Sequence, residues 1–521
     1  MTAFPTERDP LIDKSNAKTT QPQKYPGPLE ISKSNRYGIL AGVWMATFLS
    51  NLTIALQVIP KISSEFQKSH QASWLGTAYL LTTCTFTPLY GRLCNVMGRK
   101  GANHTAICFA AVGTIACGLS RNMEQLVAAR FIAGIGGSGL FTTSSIIVSD
   151  MYTLRDRALV QGAASCFIGL GMGLGGFFGG VISDSLGWRT AFLLQAPLYL
   201  TSFSLTSYNL RYVTPGKSNG AKGVLKRIDY FGSLTLLISI GSLLLFLSMR
   251  YNETLPWSNA WVFTPLAMTC IFSVLFVIVE VFVASDPVLS PTMMRQKIPL
   301  LVGASNFLSA TCNFSITYFF PMWFQVVTLE SASTAGLHLT PNSISMASGS
   351  VFAGWMMHRM GRYKAISLIL GIFPFIGAVL ISTMREDAGP LQSWLSIVPL
   401  GFGNSAVLQT NLIALLAHLP ESQMAIGTGF AQLFRGIGQV GGVAFASALF
   451  QARLETELRE RLRTPNAEEL ILKIRRSSDF IRTLPPAEQR AARDSYAVGL
   501  KTVYVMAACA TLLAYIARLP V

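Results

Sequence analysis

The sequence predicts an all-α membrane protein with fourteen transmembrane helices. Three observations point there. Only 13% of the 521 residues are charged while 51% are hydrophobic, and the mean hydropathy is +0.44; a soluble protein carries roughly 25% charged residues. Nearly uncharged runs of about 20 residues recur along the chain, each long enough to cross a hydrocarbon core of about 30 Å. Short connectors rich in Lys and Arg separate them. Backbone polar groups in lipid have to be satisfied internally, so the runs read as helices. The net charge of +16 would suggest nucleic acid in a soluble protein. Here the cations cluster between apolar runs, and topology explains them.

In chain order, residues 1–36 are polar, with Pro, Lys and Gln and no apolar core of a signal peptide, and read as a disordered cytosolic tail. Within it "ERDPLI" resembles an acidic dileucine sorting signal, with Glu7 as the acid and Leu11 and Ile12 as the apolar pair. Such signals are read by sorting adaptors. Six spans follow, at 37–60, 72–91, 102–120, 125–150, 157–182 and 188–210. A basic linker, 211–229, leads to two strongly apolar spans at 230–250 and 260–284. The last six lie at 299–325, 333–357, 365–384, 392–417, 423–450 and 499–518. The segment 451–498 is rich in both signs of charge and predicts amphipathic surface helices outside the bilayer. An even number of spans places both termini on one side. Leaving out the long 451–498 connector, since long loops escape the rule, the connectors after odd spans hold six cations (Lys61, Lys68, Arg121, Arg189, Arg250 and Arg385), against fifteen on the alternate connectors. Positive charge is retained in the cytosol, so the termini and the richer connectors are predicted there.

The eight cysteines are scattered through apolar runs without CxxC spacing, which argues against a zinc site or a disulfide framework. No nucleotide loop, metal cluster or nucleophile elbow marks an enzyme, and no cofactor is implied. "GIGGSG" has the look of a dinucleotide fingerprint, but no strand precedes it. Asn252 opens an Asn-Glu-Thr sequon in a short outer connector.

The connector "YGRLCNVMGRKGA", 90–102, is a tight basic turn: Arg92, Arg99 and Lys100 cannot rest in hydrocarbon, and glycines let the chain reverse. It resembles the G-x-L-x-D-r-x-G-r-k/r loop of the major facilitator superfamily, with Asn95 where that family has its carboxylate. The resemblance implies a latch between these cations and an acid at a neighbouring helix end, weakened by Asn95. "ARFIAGIGGSGL" resembles the family's fourth helix, which implies proton coupling for Arg130. "GLGMGLGGFFGG", 169–180, resembles the antiporter fifth-helix motif, with Gly176 replacing the usual proline. "GWMMHRMGRYK", 354–364, resembles a degenerate second copy of the basic loop. "FTPLYGRLCNVMGRK", "SSIIVSDMYTLRDRALVQG", "RIDYFGSLTLL" and "GTGFAQLFRGIGQVGG" are most similar to the fourteen-span drug:proton antiporter branch, and within it to fungal vacuolar basic amino acid transporters. The family implies a six-helix N-terminal bundle (37–210), an inserted pair (230–284) and a six-helix C-terminal bundle (285–450 with 499–518).

The family also implies a midplane site between the bundles, exposed alternately to each side. Relatives carry an aspartate nine positions before the first helix's terminal proline; counting back from Pro60 gives Asn51, which does not titrate. Asp150 is expected to pair with a basic loop and gate the cytosolic side. Arg435 is a second intramembrane cation, suited either to a substrate carboxylate or to a structural ion pair. Asn313, Tyr318, Gln325 and Gln409 complete the expected cavity, with Trp74, Tyr79, Trp323 and Asn404 as further lining. The expected function is proton-coupled transport of basic amino acids across the vacuolar membrane. The alternatives are a plasma-membrane exporter of drugs, siderophores or metabolites, and a non-transporting nutrient sensor on the same fold. The expected partners are a small-molecule substrate, protons, the lipid bilayer and a sorting adaptor.

Overall fold

The computed structural model describes residues 30–55, 65–66, 72–212, 229–252, 255–283, 291–330, 332–420, 423–462, 467–476 and 478–520. The sorting-signal residues Glu7, Leu11 and Ile12, and Pro60, lie outside them. Every regular element among the described residues is helical. Helix α1 is Lys33–Ala55. The stretch Ala72–Leu119 runs on as helix across a break at Gly98, whose φ of 78° only glycine adopts freely; the part before it is α2 and the part after it α3. Helices α4 (Met123–Met151) and α5 (Leu154–Ser185) start at side-chain caps: Gln125 N–H donates to Asn122 Oδ1 at 2.8 Å, and Asp156 N–H to Thr153 Oγ1 at 3.4 Å. The sixth predicted span is broken into α6 (Trp188–Leu193) and α7 (Ala196–Asn209), with Pro197 just inside the second piece.

Helices α8 (Tyr230–Leu247) and α9 (Ala260–Ile278) each end in a π-helical turn. The second half comprises α10 (Lys297–Met322), α11 (Thr340–Met360), α12 (Lys364–Leu370), α13 (Phe373–Ser382), α14 (Val398–Ala417), α15 (Met424–Arg461), α16 (Ala467–Arg476) and α17 (Pro486–Arg518). Gly361 ends α11 in the left-handed region, φ 65°, as a C-cap.

Close backbone approach decides the packing of α2, α3 and α4. A Cβ on Gly136 would fall 2.1 Å from the Ala110 nitrogen, and one on Gly134 2.6 Å from the Tyr79 carbonyl. In lipid, where apolar surface alone does not drive helices together, such small-residue faces let dispersion and carbonyl contacts hold them. One cluster joins Ala46 and Leu49 of α1 to Tyr90, Ile107, Leu140 and Tyr199 in the first half. Another joins Ile316, Phe320, Ile381, Leu454, Ile474 and Tyr504 in the second. The α8–α9 pair lies against both: Leu236, Leu244 and Phe276 pack with Leu81 and Cys84 of α2 and with Leu433 and Val440 of α15.

Eight helices among the described residues are long and apolar enough to cross a bilayer. Helices such as α5 and α10 fall short because Gly, Ser, Thr and Asn dilute their apolar content. The segment 451–498, expected to form surface helices, is mostly helical among the described residues. Helix α15 continues to Arg461 and α17 begins at Pro486, with α16 and a 3-10 turn at Ser478–Thr483 between them. Ion pairs one turn apart, Arg453–Glu457 at 2.7 Å and Arg461–Glu457 at 2.8 Å, suit a helix that has left the bilayer. Tyr496 then donates to the Ile474 carbonyl at 3.1 Å and docks α16.

Candidate functional site

At the end of the bundle carrying the basic turn, Gly98 turns the chain so that Arg99 points back toward α4. Arg99 is buried, and its Nε donates to Asp150 Oδ2 at 2.7 Å and its Nη2 to Oδ1 at 3.4 Å. Nη1 donates to the Cys94 carbonyl at 3.0 Å. The Tyr212 hydroxyl donates to Asp150 Oδ2 at 3.1 Å. Asp150 therefore receives a two-pronged guanidinium and a phenol, the geometry that makes charge-assisted hydrogen bonds strong. Lys100 reaches another helix, donating to the Ser207 carbonyl of α7 at 2.6 Å. The side chains of Arg92 and Asn95 lie outside the described residues.

The two halves meet along α5 and α11 on this same side. Gln409 of α14 is the centre of the seam. Its amide donates to Ser350 Oγ of α11 at 2.8 Å, to Ser165 Oγ of α5 at 2.9 Å and to the Gln161 carbonyl at 3.3 Å. The approach is close because α5 has glycine here: a Cβ on Gly162 would lie 2.9 Å from the Ser350 carbonyl oxygen. Nearer the basic end, Asp156 sits 3.4 Å from His358 Nδ1. Arg157 donates to the Ser149 carbonyl and reaches Met424 Sδ of α15 at 3.9 Å.

Deeper in the first half, Arg130 of α4 donates to the Thr53 carbonyl at 2.9 Å and lies over the Phe192 ring at 5.1 Å. Thr53 in turn donates to Gln195 at 2.6 Å, in the break between α6 and α7. Asn51 is buried and spends its amide on its own helix, donating to the Thr47 carbonyl at 2.7 Å. Tyr79 shares a 2.7 Å hydrogen bond with Ser50. In the second half, Asn313 is buried with no partner for Oδ1, Tyr318 is 54% exposed, and Gln325 is half-buried in the π turn after α10. Asn404 and Trp323 are buried; the Trp74 side chain is not among those described. Arg435 is half-buried in the first third of α15, and makes no hydrogen bond or ion pair among the described residues.

The opposite end carries its own ties. Glu65 accepts from Trp188 Nε1 at 2.6 Å and from Arg189 Nη1 at 2.8 Å. The indole bond first, then the guanidinium, hold its carboxyl below the ordinary value. His338, buried, is stacked between Phe324 at 3.8 Å and Trp394 at 4.2 Å, with Glu330 Oε2 3.8 Å away.

Sequence reasoning missed Tyr212, Gln195, His338 and the trio Gln161, Ser165 and Ser350. Gln195 carried a signal, a polar side chain inside an apolar run two residues before a proline. The others depend on contacts between elements far apart in the chain.

The chain is 34% identical over 511 residues to "Multidrug resistance protein fnx1" of Schizosaccharomyces pombe, covering 96% of this chain and 95% of the relative. It is 31% identical over 459 residues to the "Vacuolar membrane amino acid uptake transporter fnx2" of the same yeast, covering 88% and 78%. It is 30% identical over 456 residues to "Vacuolar basic amino acid transporter 1" of Saccharomyces cerevisiae, covering 81% and 79%. Its fold matches the human organic anion transporter MFSD10 with a TM-score of 0.61 at 14% identity, over 94% of this chain and 100% of the other. With the Major Facilitator Superfamily model matching residues 39–443, the chain belongs to that superfamily of integral-membrane transporters, which are not enzymes.

Proposed function

We propose that this chain is a fourteen-span, proton-coupled carrier of amino acids, basic ones foremost, across the vacuolar membrane by alternating access, with both termini in the cytosol. The observation that carries the reading is the Arg99–Asp150–Tyr212 latch, in a chain whose relatives include yeast vacuolar amino acid transporters. Coupling needs a group that titrates as the protein changes state. Asn51 cannot titrate, and the midplane of the predicted spans holds no Asp or Glu. At the basic end, where Asp156 lies beside His358, the acid that holds a buried arginine is Asp150. Ionised, it holds Arg99 and keeps that end shut. Protonated, it loses the ionic part of the contact, and the end is free to open. Arg130, tied to α1 through Thr53, carries movement of the first half between its helices.

The test is uptake of radiolabelled Lys, Arg and His, with a wider amino acid and drug panel, into acidified vacuolar vesicles. Wild-type protein is expected to accumulate basic amino acids only while the pH gradient is imposed. Asp150→Asn is expected to lower uptake by at least about ten-fold at equal protein level, in line with general acid–base contributions. Full uptake in that variant, or uptake indifferent to the gradient, would remove Asp150 from the mechanism. The second reading, a plasma-membrane multidrug exporter, is favoured by the fnx1 relative. Its test is the location of a tagged protein with and without Leu11 and Ile12; plasma-membrane residence of the intact protein, with drug efflux, would replace the vacuolar reading.

A further inference from the structure

We infer that Arg435 is the point at which the transported ligand's carboxylate is recognised, so the carrier requires an organic carboxylate and rejects the corresponding amine. The inference rests on the amino acid reading above and names the chemistry that selects within it.

Arg435 lies in the first third of α15, on the face turned to α10. Asn306 of α10 donates to the Ala431 carbonyl at 3.4 Å, Thr311 to the Gly438 carbonyl at 3.2 Å and Ser315 to the Gly442 carbonyl at 3.1 Å. Those acceptors stand four before, three after and seven after Arg435, the spacing of one helix face. The next residue, Gly436, meets the opposite half: a Cβ there would sit 3.0 Å from Cys84 Cα of α2. Arg435 is thus placed where α10, α15 and the other half converge.

The buried arginines of the bundle each have at least one acceptor, although Arg130 Nε, Arg157 Nε and Arg518 Nη1 make no hydrogen bond among the described residues. Arg99 binds Asp150, Arg130 binds the Thr53 carbonyl, Arg157 binds the Ser149 carbonyl and Arg518 binds the Gly371 carbonyl at 3.0 Å. Arg435 has no such partner among the described residues, and the sequence supplies no acid within α10, α11, α14 or the membrane part of α15. A guanidinium in low dielectric without a counter-charge is costly. Its planar fork matches a carboxylate in two parallel hydrogen bonds. A bound carboxylate therefore neutralises the seam before the two halves close over it, and an amine lacking that group adds a second positive charge instead.

The experiment compares flux of lysine and of cadaverine, its decarboxylated counterpart, in vesicles holding wild type, Arg435→Gln or Arg435→Lys. Wild type is expected to prefer lysine by at least about ten-fold, since a site built around a polar partner rejects the analogue lacking it. In Arg435→Gln lysine flux should fall to the cadaverine level, and Arg435→Lys should recover part of it. Wild type carrying cadaverine as well as lysine, or Arg435→Gln keeping lysine flux, overturns the inference while leaving amino acid transport intact. If wild type moves no amino acid, the functional reading fails instead. The carboxylate claim is then decided by thermal shift of purified protein with organic carboxylates against their amides. Stabilisation by carboxylates in wild type but not in Arg435→Gln sustains it, and absence of stabilisation in wild type overturns it.

Discussion

Asp150 and Glu65 are both carboxylates held by an arginine and a neutral donor, at opposite ends of the molecule. Breaking the Arg99–Asp150 pair from one side leaves a buried guanidinium with a weakened partner, a cost on the order of 3 kcal/mol. The sequence pointed to Asp150 because a charge beside a membrane needs a counter-charge, and the basic turn was the nearest supply. It gave no sign of Tyr212, which arrives from beyond α7. Asn51 was expected in the cavity by its register with Pro60, yet its amide is used inside α1, as a short polar side chain in lipid tends to be. Glu65 yields a pH prediction. Its folded pKa is depressed, so its stabilisation is present above the ordinary 4.5 and is lost as the pH falls through the lower folded value. Glu65→Gln should therefore lower the melting temperature equally at pH 7 and at pH 5.5, the difference from wild type shrinking only below 4.5. A difference that already vanishes at pH 5.5 would mean the Trp188 and Arg189 bonds do not hold the carboxylate.

Among the elements, the glycine-rich runs decide how closely helices approach. The structure assigns their neighbours: Gly136 meets Ala110 within the first half, while Gly162 meets Ser350 across the seam. Sequence pattern could not tell these apart, since both are small residues in apolar runs. Gly162→Val places branched carbon against the Ser350 carbonyl, so α5 and α11 have to separate at the basic end. A Met424→Cys reporter at that end, in a cysteine-depleted background, should then react several-fold faster with a membrane-impermeant maleimide. An unchanged rate would show that the α5–α11 contact does not seal the path. The extension of α15 to Arg461 was also hidden, because charge was read as an end of helix when its i,i+4 pairing continues one.

For the whole molecule, apolar run length and connector charge made the helical membrane architecture legible, and the order of motifs made the family legible. The seam was not, because it depends on which helix of one half faces which helix of the other. Gln409 illustrates this: a polar residue in an apolar run reads as cavity lining, whereas the structure has it bridging α5, α11 and α14. If the halves rock about a central path, that bridge belongs to one state and has to break in each cycle. The direct measurement is cross-linking of Ser165→Cys with Ser350→Cys, whose native hydroxyls share the Gln409 amide, in a cysteine-depleted protein reconstituted in vesicles. Oxidation should abolish substrate flux and a reductant should restore it. Undiminished flux through protein shown to be fully cross-linked would contradict alternating access at this seam.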